Sequence, residues 1–176
     1  NEITDKALSA AMNVVGKDFG AKKIFLPQVM LSAEAMREAF IKIKERIPAD
    51  SVSNKGTIVI ATVKGDIHDL GKNIVSALLE NNGFKVIDLG KDIDKEEIIK
   101  AAIDNKADMI GLCSLMTTTI TQIDEVIAEL NKSEYSTKVM IGGAVVTQEY
   151  ADNVGANAYA PDGVEAVEIA KKLINK

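Results

Sequence analysis

The sequence of 176 residues is poor in the residues that build disulfides and metal clusters, since it holds one cysteine and one histidine. A single cysteine excludes an intrachain disulfide framework and a multi-cysteine zinc site, and a single histidine excludes a multi-histidine metal centre. No apolar run approaches the roughly 18–20 residues that span a bilayer, and no signal peptide precedes the first polar residues. The chain opens at Asn1 rather than methionine, which is typical of a piece of a longer protein.

Charge and composition narrow the class further. The formal net charge of −5, without any basic run, argues against nucleic acid or an anionic membrane as a partner. Three prolines, no tryptophan, 47% hydrophobic and 27% charged residues exclude disordered and collagen-like chains. We therefore expect a soluble cytoplasmic protein with one full domain and a smaller appendage.

The first 50 residues carry helical patterning without a convincing strand. After Pro27, apolar residues from Val29 to Ile43 keep the three-and-four spacing of an amphipathic helix. Pro48 and the polar stretch 50–55 indicate a linker. Two helices make a poor core on their own, so we expect this hairpin to pack on the rest of the chain.

From Thr57 onward, short apolar runs alternate with helical segments. The predicted strands cover residues 57–63, 84–89, 107–113, 138–141 and 157–160. The predicted helices cover residues 71–82, 94–105 (with Asp94 as N-cap), 119–131, 148–153 and 164–174. This alternation predicts an α/β fold with a five-stranded, parallel, doubly wound sheet. Ligands bind such sheets outside the carboxyl ends of the strands, where the strand order switches.

Three loops that follow predicted strands hold unusual residues. The first, 64–71, contains the sole histidine, His68, with Asp66 two residues before it. A carboxylate beside an imidazole fixes its tautomer and raises the basicity of the other nitrogen, as metal-ligating histidines require. The alternative is a surface histidine beside a helix whose N-cap is Asp69.

The other two loops are weaker signals by themselves. Four hydroxyl side chains in residues 114–119 either cap the next helix or line a polar pocket. Gly142 and Gly143 form either a tight turn or room for a bulky ligand. Together, at three adjacent strand ends, the loops favour a ligand site.

The spacing of these residues resembles a known signature. Asp66-x-His68-x-x-Gly71, then Cys113-x-Leu115 and then Gly142-Gly143, is similar to the cobalamin-binding signature of corrinoid methyl-transfer proteins. Residues 12–20 and 25–29 resemble the second half of the helical cap of cobalamin-dependent methionine synthase. The resemblance implies a flavodoxin-like (Rossmann-like) cobalamin-binding domain over residues 51–176, preceded by a partial helical cap over residues 1–50.

The resemblance also implies roles for individual residues. His68 would be the lower axial ligand of the cobalt, with Asp66 as its hydrogen-bond partner and Thr119 completing a catalytic triad. Thr117 and Cys113 would line the slot for the nucleotide tail, although Cys113 replaces the usual serine and is a weaker hydrogen-bonding group. The implied cofactor-binding set is Phe19 and Leu26 over the upper, methyl-bearing corrin face, with Asp66, His68, Asp69, Gly71, Cys113, Leu115, Thr117, Gly142 and Gly143.

The function that the resemblance implies is a cobalamin-binding methyl carrier, one part of a methyltransferase, with cobalt cycling between methyl-Co(III) and Co(I). Its partners would be methyl-donor and methyl-acceptor methyltransferase domains or subunits, and a reductive activation partner. Methionine synthase, which passes methyl from methyltetrahydrofolate to homocysteine, is the main interpretation. The alternative is a stand-alone corrinoid protein for methanol, methylamine or methoxy-aromatic substrates, to which residues 142–150 are similar.

Three other classes rank lower. An adenosylcobalamin mutase subunit shares the histidine signature, but the segment with Phe19 and Leu26 would obstruct the long adenosyl group. A cobalamin-dependent regulator needs a DNA-binding helical domain, which the sequence does not show. A phospho-acceptor signalling domain needs a lysine after strand five, where this chain has Tyr159-Ala160-Pro161.

Overall fold

The fold comes from a computed structural model that describes residues 7, 10–44 and 55–174, without some side chains of the first two helices. Two N-terminal helices precede an alternation of strands and helices. The elements are α1 (Ala10–Gly20), α2 (Leu26–Lys44), β1 (Thr57–Thr62), α3 (Leu70–Asn81), β2 (Lys85–Asp88), α4 (Lys95–Asp104), β3 (Met109–Cys113), α5 (Thr121–Lys132), β4 (Lys138–Gly142), α6 (Gln148–Val154), β5 (Ala158–Ala160) and α7 (Gly163–Leu173).

The five strands form one parallel sheet in the order β2-β1-β3-β4-β5, which confirms the predicted doubly wound architecture. The order reverses direction between β1 and β3, so the switch point lies at their carboxyl ends. The register pairs Thr62 with Cys113, and Cys113 with Gly142. The last residues of three neighbouring strands therefore lie side by side, and the loops after them converge.

The core lies on both faces of the sheet, and β1 is therefore buried along its whole length. Alternate residues such as Val59 and Ala61 pack with α4 and α5 on one face. Ile58 packs with α3 and α7 on the other face. This two-sided burial explains the continuous apolar run that predicted β1.

The N-terminal helices pack on the second face, as expected for a hairpin that lacks a core of its own. Met36 of α2 joins the buried cluster of α3 and α7. Gly16 of α1 allows a close approach to α7, since a Cβ there would lie 2.2 Å from Val164 Cγ2. The domain boundary predicted at residue 50, and the predicted linker up to residue 54, lie outside the described residues, which resume at Lys55.

Helix N-termini differ from prediction in their capping. Asp94 occupies the N-cap position of α4, but its side chain makes no capping hydrogen bond and instead accepts one from Lys64 Nζ at 3.3 Å. Asp69 precedes α3, also without a side-chain capping bond. Asp162 does cap α7, because its Oδ1 accepts from two backbone N–H groups at 2.9 Å.

Three strands begin later than predicted: β2 at Lys85 and β5 at Ala158 by one residue each, and β3 by two residues. The predicted third strand starts at Ala107, whereas β3 starts at Met109. The Ala107 N–H donates to the Ala102 carbonyl at 2.9 Å, so that Ala107 still belongs to the turn that closes α4.

No helix in residues 10–44 or 55–174 combines the length and the apolarity that a membrane span requires.

Candidate cofactor site

A buried carboxylate organises the loop after β1. Asp66 has no exposed surface, and its Oδ1 accepts the backbone N–H of His68 at 3.0 Å. The same oxygen lies 2.8 Å from Nδ1 of the His68 ring. The ring itself is half exposed, with 51% of its side-chain surface accessible. The loop therefore buries the anchor and presents the imidazole.

The second oxygen of Asp66 is held by the loop after β3. Oδ2 accepts the Leu115 backbone N–H at 2.7 Å and the Thr119 hydroxyl at 3.1 Å. Burial raises the pKa of Asp66, but the hydrogen bonds from Leu115, His68 and Thr119 outweigh it and lower the pKa to about 2. Asp66 is thus a carboxylate at neutral pH, despite its burial.

An ionised Asp66 determines the tautomer of His68. A carboxylate can only accept, so Nδ1 carries the proton of the neutral ring and Nε2 carries the lone pair. Among the described residues Nε2 has no hydrogen-bond partner, which leaves it available to an incoming metal centre. The geometry brings together Asp66, His68 and Thr119, the three residues predicted to act as a triad.

A cavity of about 510 Å³ opens at the carboxyl ends of β3, β4 and β5, and its lining includes Leu115, whose N–H donates to Asp66 of the triad. Its wall includes six glycines: Gly16, Gly71, Gly111, Gly142, Gly143 and Gly163. At Gly143, whose φ is +124°, a Cβ would lie 1.9 Å from the Ser114 carbonyl oxygen. At Gly142 a Cβ would lie 2.9 Å from the Ala160 carbonyl oxygen. Backbone packing at these two positions excludes any side chain.

Two further predicted residues lie at the cavity. Leu115 lines it while its N–H holds Asp66. Cys113 also lines it, and burial, followed by the charge of Asp66, raises the pKa of its thiol to about 11. The thiol is therefore neutral near pH 7, a poor metal ligand compared with a thiolate.

Other predicted residues are placed differently. Thr117 is exposed and does not line the cavity, so the structure gives it no part in a slot there. Asp69 contributes its carbonyl, which accepts the Asn73 N–H at 2.8 Å.

The predicted cap residues do not share one helix. Phe19 lies in α1, which ends at Gly20, and Leu26 begins α2. Phe19 is 39% exposed and lines the same cavity as Gly142 and Gly143. The side chain of Leu26 lies outside the described part of the chain.

Sequence reasoning missed an ion pair at the cavity wall, in which the lysine is buried and the side chain of its partner Asp88 is 31% exposed. The side chain of Lys72 is only 1% exposed, and its Nζ lies 2.5 Å from Asp88 Oδ1 and 2.7 Å from Asn73 Oδ1. Ser76 also donates to Asp88, at 2.9 Å. The signal was available, because Lys72, Ser76 and Leu79 share the buried face of α3 at helical spacing, and a lysine there needs an acidic partner.

Sequence reasoning counted Ser114 among the hydroxyls that cap the next helix or line a pocket, whereas the structure buries it fully. Its Oγ lies 2.9 Å from the Thr119 hydroxyl oxygen, so that a fourth polar side chain joins the triad.

Comparison with known proteins agrees with this geometry. Two family models, each described as a B12 binding domain, match residues 56–170 and 1–44. The chain belongs to the B12 binding domain family. Its cofactor is accordingly cobalamin or a related corrinoid.

Individual relatives are corrinoid proteins. Dimethylamine corrinoid protein 1 of Methanosarcina acetivorans is 47% identical over an alignment of 178 residues, and the alignment covers 99% of this chain and 83% of that protein. A methanol:cobalamin methyltransferase complex from Methanosarcina barkeri contains a chain with a TM-score of 0.83 and 38% identity, over 98% of this chain and 67% of that one. A cobalamin-binding protein from Desulfitobacterium hafniense has a TM-score of 0.84 and 29% identity, over 96% of this chain and 80% of that one.

These relatives change one prediction. The interpretation as methionine synthase is not supported, and the alternative of a stand-alone corrinoid protein agrees better with them.

The residues present fit a corrinoid. A half-exposed imidazole, with its Nε2 unpartnered among the described residues, lies near a cavity of about 510 Å³ whose lining includes Cys113 and Leu115. Within the described ranges, no group of three or more His, Cys, Asp or Glu side chains is arranged to hold a metal ion. His68 can therefore supply one ligand to a metal that the cofactor itself carries.

Proposed function

We propose that this chain is a stand-alone corrinoid protein that carries a methyl group between two methyltransferases, the first of which demethylates a methylated amine. The observation that carries the proposal is the Asp66-held His68 beside the glycine-lined cavity. The dimethylamine corrinoid protein, at 47% identity, supports an amine substrate. The partners are the methyl-donor and methyl-acceptor methyltransferases, with a reductive activation partner.

In this proposal, each part of the site holds one part of the cofactor. His68 would hold the cobalt through Nε2, with Asp66 and Thr119 orienting the ring. Cys113 would line the slot for the nucleotide tail, beside the close backbone packing at Gly142 and Gly143. The bound corrinoid supplies a cobalt centre that accepts a methyl group and hands it on.

The chain's own contribution is control of the imidazole. Asp66 keeps the ring proton on Nδ1, and its burial keeps water away from that hydrogen bond. The lone pair of the neutral ring therefore stays on Nε2. Residues 1–50, with Phe19 and Leu26, would form a partial cap, and Phe19 lines the same cavity as Gly142 and Gly143.

Reconstitution tests the substrate class. The chain is loaded with hydroxocobalamin, reduced, and mixed with a dimethylamine-, monomethylamine- or methanol-specific methyltransferase and its substrate, or with methyltetrahydrofolate and the folate-binding part of methionine synthase. Methylation of the corrinoid is followed by its visible absorption. We expect methylation with an amine and its methyltransferase, and the same rate for Thr118→Ala, which alters an exposed hydroxyl next to the site.

Two results would contradict the proposal. If the corrinoid were methylated only in the reaction with methanol and its methyltransferase, the substrate would be an alcohol and not an amine. If it were methylated only in the reaction with methyltetrahydrofolate and the folate-binding part of methionine synthase, the chain would act in the methionine synthase reaction.

A further inference from the structure

The hydroxyl of Ser114 extends the hydrogen-bond network of the triad by one group. In the signature Cys113-x-Leu115, Ser114 occupies the unspecified position. Its side chain is nevertheless fully buried, 2.9 Å from Thr119 Oγ1, which in turn lies 3.1 Å from Asp66 Oδ2. We propose that Ser114 is a positioning residue, which orients the Thr119 hydroxyl and through it sets how firmly Asp66 holds His68.

The number of available hydroxyl hydrogens determines the direction of the hydrogen bonds between Ser114, Thr119 and Asp66. The Thr119 hydroxyl has one hydrogen and three neighbours that can accept it: Asp66 Oδ2 at 3.1 Å, the Met116 carbonyl at 3.1 Å and Ser114 Oγ at 2.9 Å. A hydrogen bond to a carboxylate is about twice as strong as one to a neutral acceptor, so Thr119 donates to Asp66. Ser114 then donates to Thr119, which is still able to accept.

The opposite direction is weaker. In it Thr119 donates to Ser114, and Ser114 donates to the Met116 carbonyl at 3.4 Å, close to the limit for a hydrogen bond. That arrangement also removes one of the donors from Asp66. The geometry therefore favours the order Ser114 to Thr119 to Asp66.

This order affects the imidazole. A hydroxyl that accepts a hydrogen bond becomes a better donor, by about 10–30% per bond in condensed phases. A stronger bond from Thr119 draws negative charge towards Oδ2 and leaves Oδ1 a weaker acceptor for the ring N–H of His68. Loss of the Ser114 hydroxyl should therefore strengthen the bond between Asp66 and His68.

The backbone fixes Ser114 in place for this role. Its N–H donates to the Gly142 carbonyl at 3.1 Å, and its carbonyl oxygen packs against Gly143, where no Cβ fits. The same residue thus links the triad to the glycine wall of the cavity.

The test uses the full chain without cofactor, so its outcome does not depend on the proposed function. The inference rests on the proposed function only in giving the held imidazole the role of a metal ligand. Because His68 is the sole histidine, nitrogen-15 histidine labelling gives one ring in a long-range proton–nitrogen NMR correlation. We expect Ser114→Ala to move the Nδ1 proton to lower field, in the same direction as Thr119→Val and by less. In the Thr119→Val background, Ser114→Ala should cause no further shift.

The control is Thr118→Ala, which removes an exposed neighbouring hydroxyl and should leave the ring signals unchanged. An unchanged signal in Ser114→Ala would overturn the inference. So would an equal shift in the Thr119→Val background, because Ser114 would then act by packing alone.

A second measurement needs no substitution, should Ser114→Ala not fold. The unaltered protein should show a hydroxyl proton, assigned to Ser114 by its coupling to the Ser114 β-protons, that exchanges slowly with water and gives a nuclear Overhauser effect to the Thr119 methyl group. Its absence at low temperature would count against a Ser114 hydroxyl locked onto Thr119.

Discussion

Gly143→Ala should lower the free energy of unfolding by about 2–5 kcal/mol and leave little protein able to retain a corrinoid. Two costs add here. A Cβ 1.9 Å from the Ser114 carbonyl oxygen forces the backbone apart, and overpacking of this kind costs about 1–3 kcal/mol. The positive φ of +124° adds about 1–2 kcal/mol for a residue with a side chain. Urea unfolding and gel filtration with hydroxocobalamin measure the two effects.

Gly155→Ala is the matched control. Gly155 also has a positive φ, +76°, but no atom lies within 4 Å of a Cβ placed there. It carries the conformational cost without the collision, so we expect a loss of about 1 kcal/mol and unaltered corrinoid retention. Equal losses in the two variants would show that Gly143 matters for its φ alone and that the cavity wall tolerates a methyl group.

Asp66→Asn should remove a large part of the acid sensitivity of folding. The folded pKa of Asp66 is about 2, below its ordinary value of 3.8, so the carboxylate stabilises the folded state above about pH 4. That contribution, about 2 kcal/mol from the pKa difference, is lost as the pH falls from about 4 to about 2. The difference in stability between the protein and Asp66→Asn should therefore be large at pH 7 and shrink over this interval. Unfolding curves at several pH values measure it.

Asp152→Asn serves as the comparison, since this carboxylate is exposed on α6 and holds only a side-chain bond from Gln148 among those described. The Asp152→Asn substitution should leave the dependence of folding stability on pH unchanged. An Asp66→Asn protein whose stability ran parallel to that of the unaltered chain from pH 7 to pH 2 would contradict the four-donor arrangement around Asp66.

The fold was predictable because its signals are local. The run that forms β1 is apolar and β-branched over a strand's length, and the alternation of such runs with helical segments admits few architectures. The site was predictable at its centre for a related reason. Asp66 and His68 are two residues apart, so no knowledge of the fold is needed to place the carboxylate beside the ring.

Contacts between distant segments were harder to predict. The bond from the Leu115 N–H to Asp66 joins residues 49 positions apart, and the pairing of Lys72 with Asp88 joins two elements. The buried face of α3 and the end of β2 enclose Lys72. Asp94 failed as an N-cap because Lys64, 30 positions away, takes its carboxylate.

Electron paramagnetic resonance of the chain loaded with cob(II)alamin tests the central claim most directly. The unpaired electron couples to the nitrogen below the cobalt, and each line splits into three for nitrogen-14 and into two for nitrogen-15. Because His68 is the sole histidine, nitrogen-15 histidine labels one protein nitrogen ligand and leaves the cofactor's own base unlabelled. If His68 binds the cobalt, labelling should convert the triplets to doublets. Triplets that persist after labelling would show that the cofactor keeps its own base, and the ligand role of His68 would be wrong.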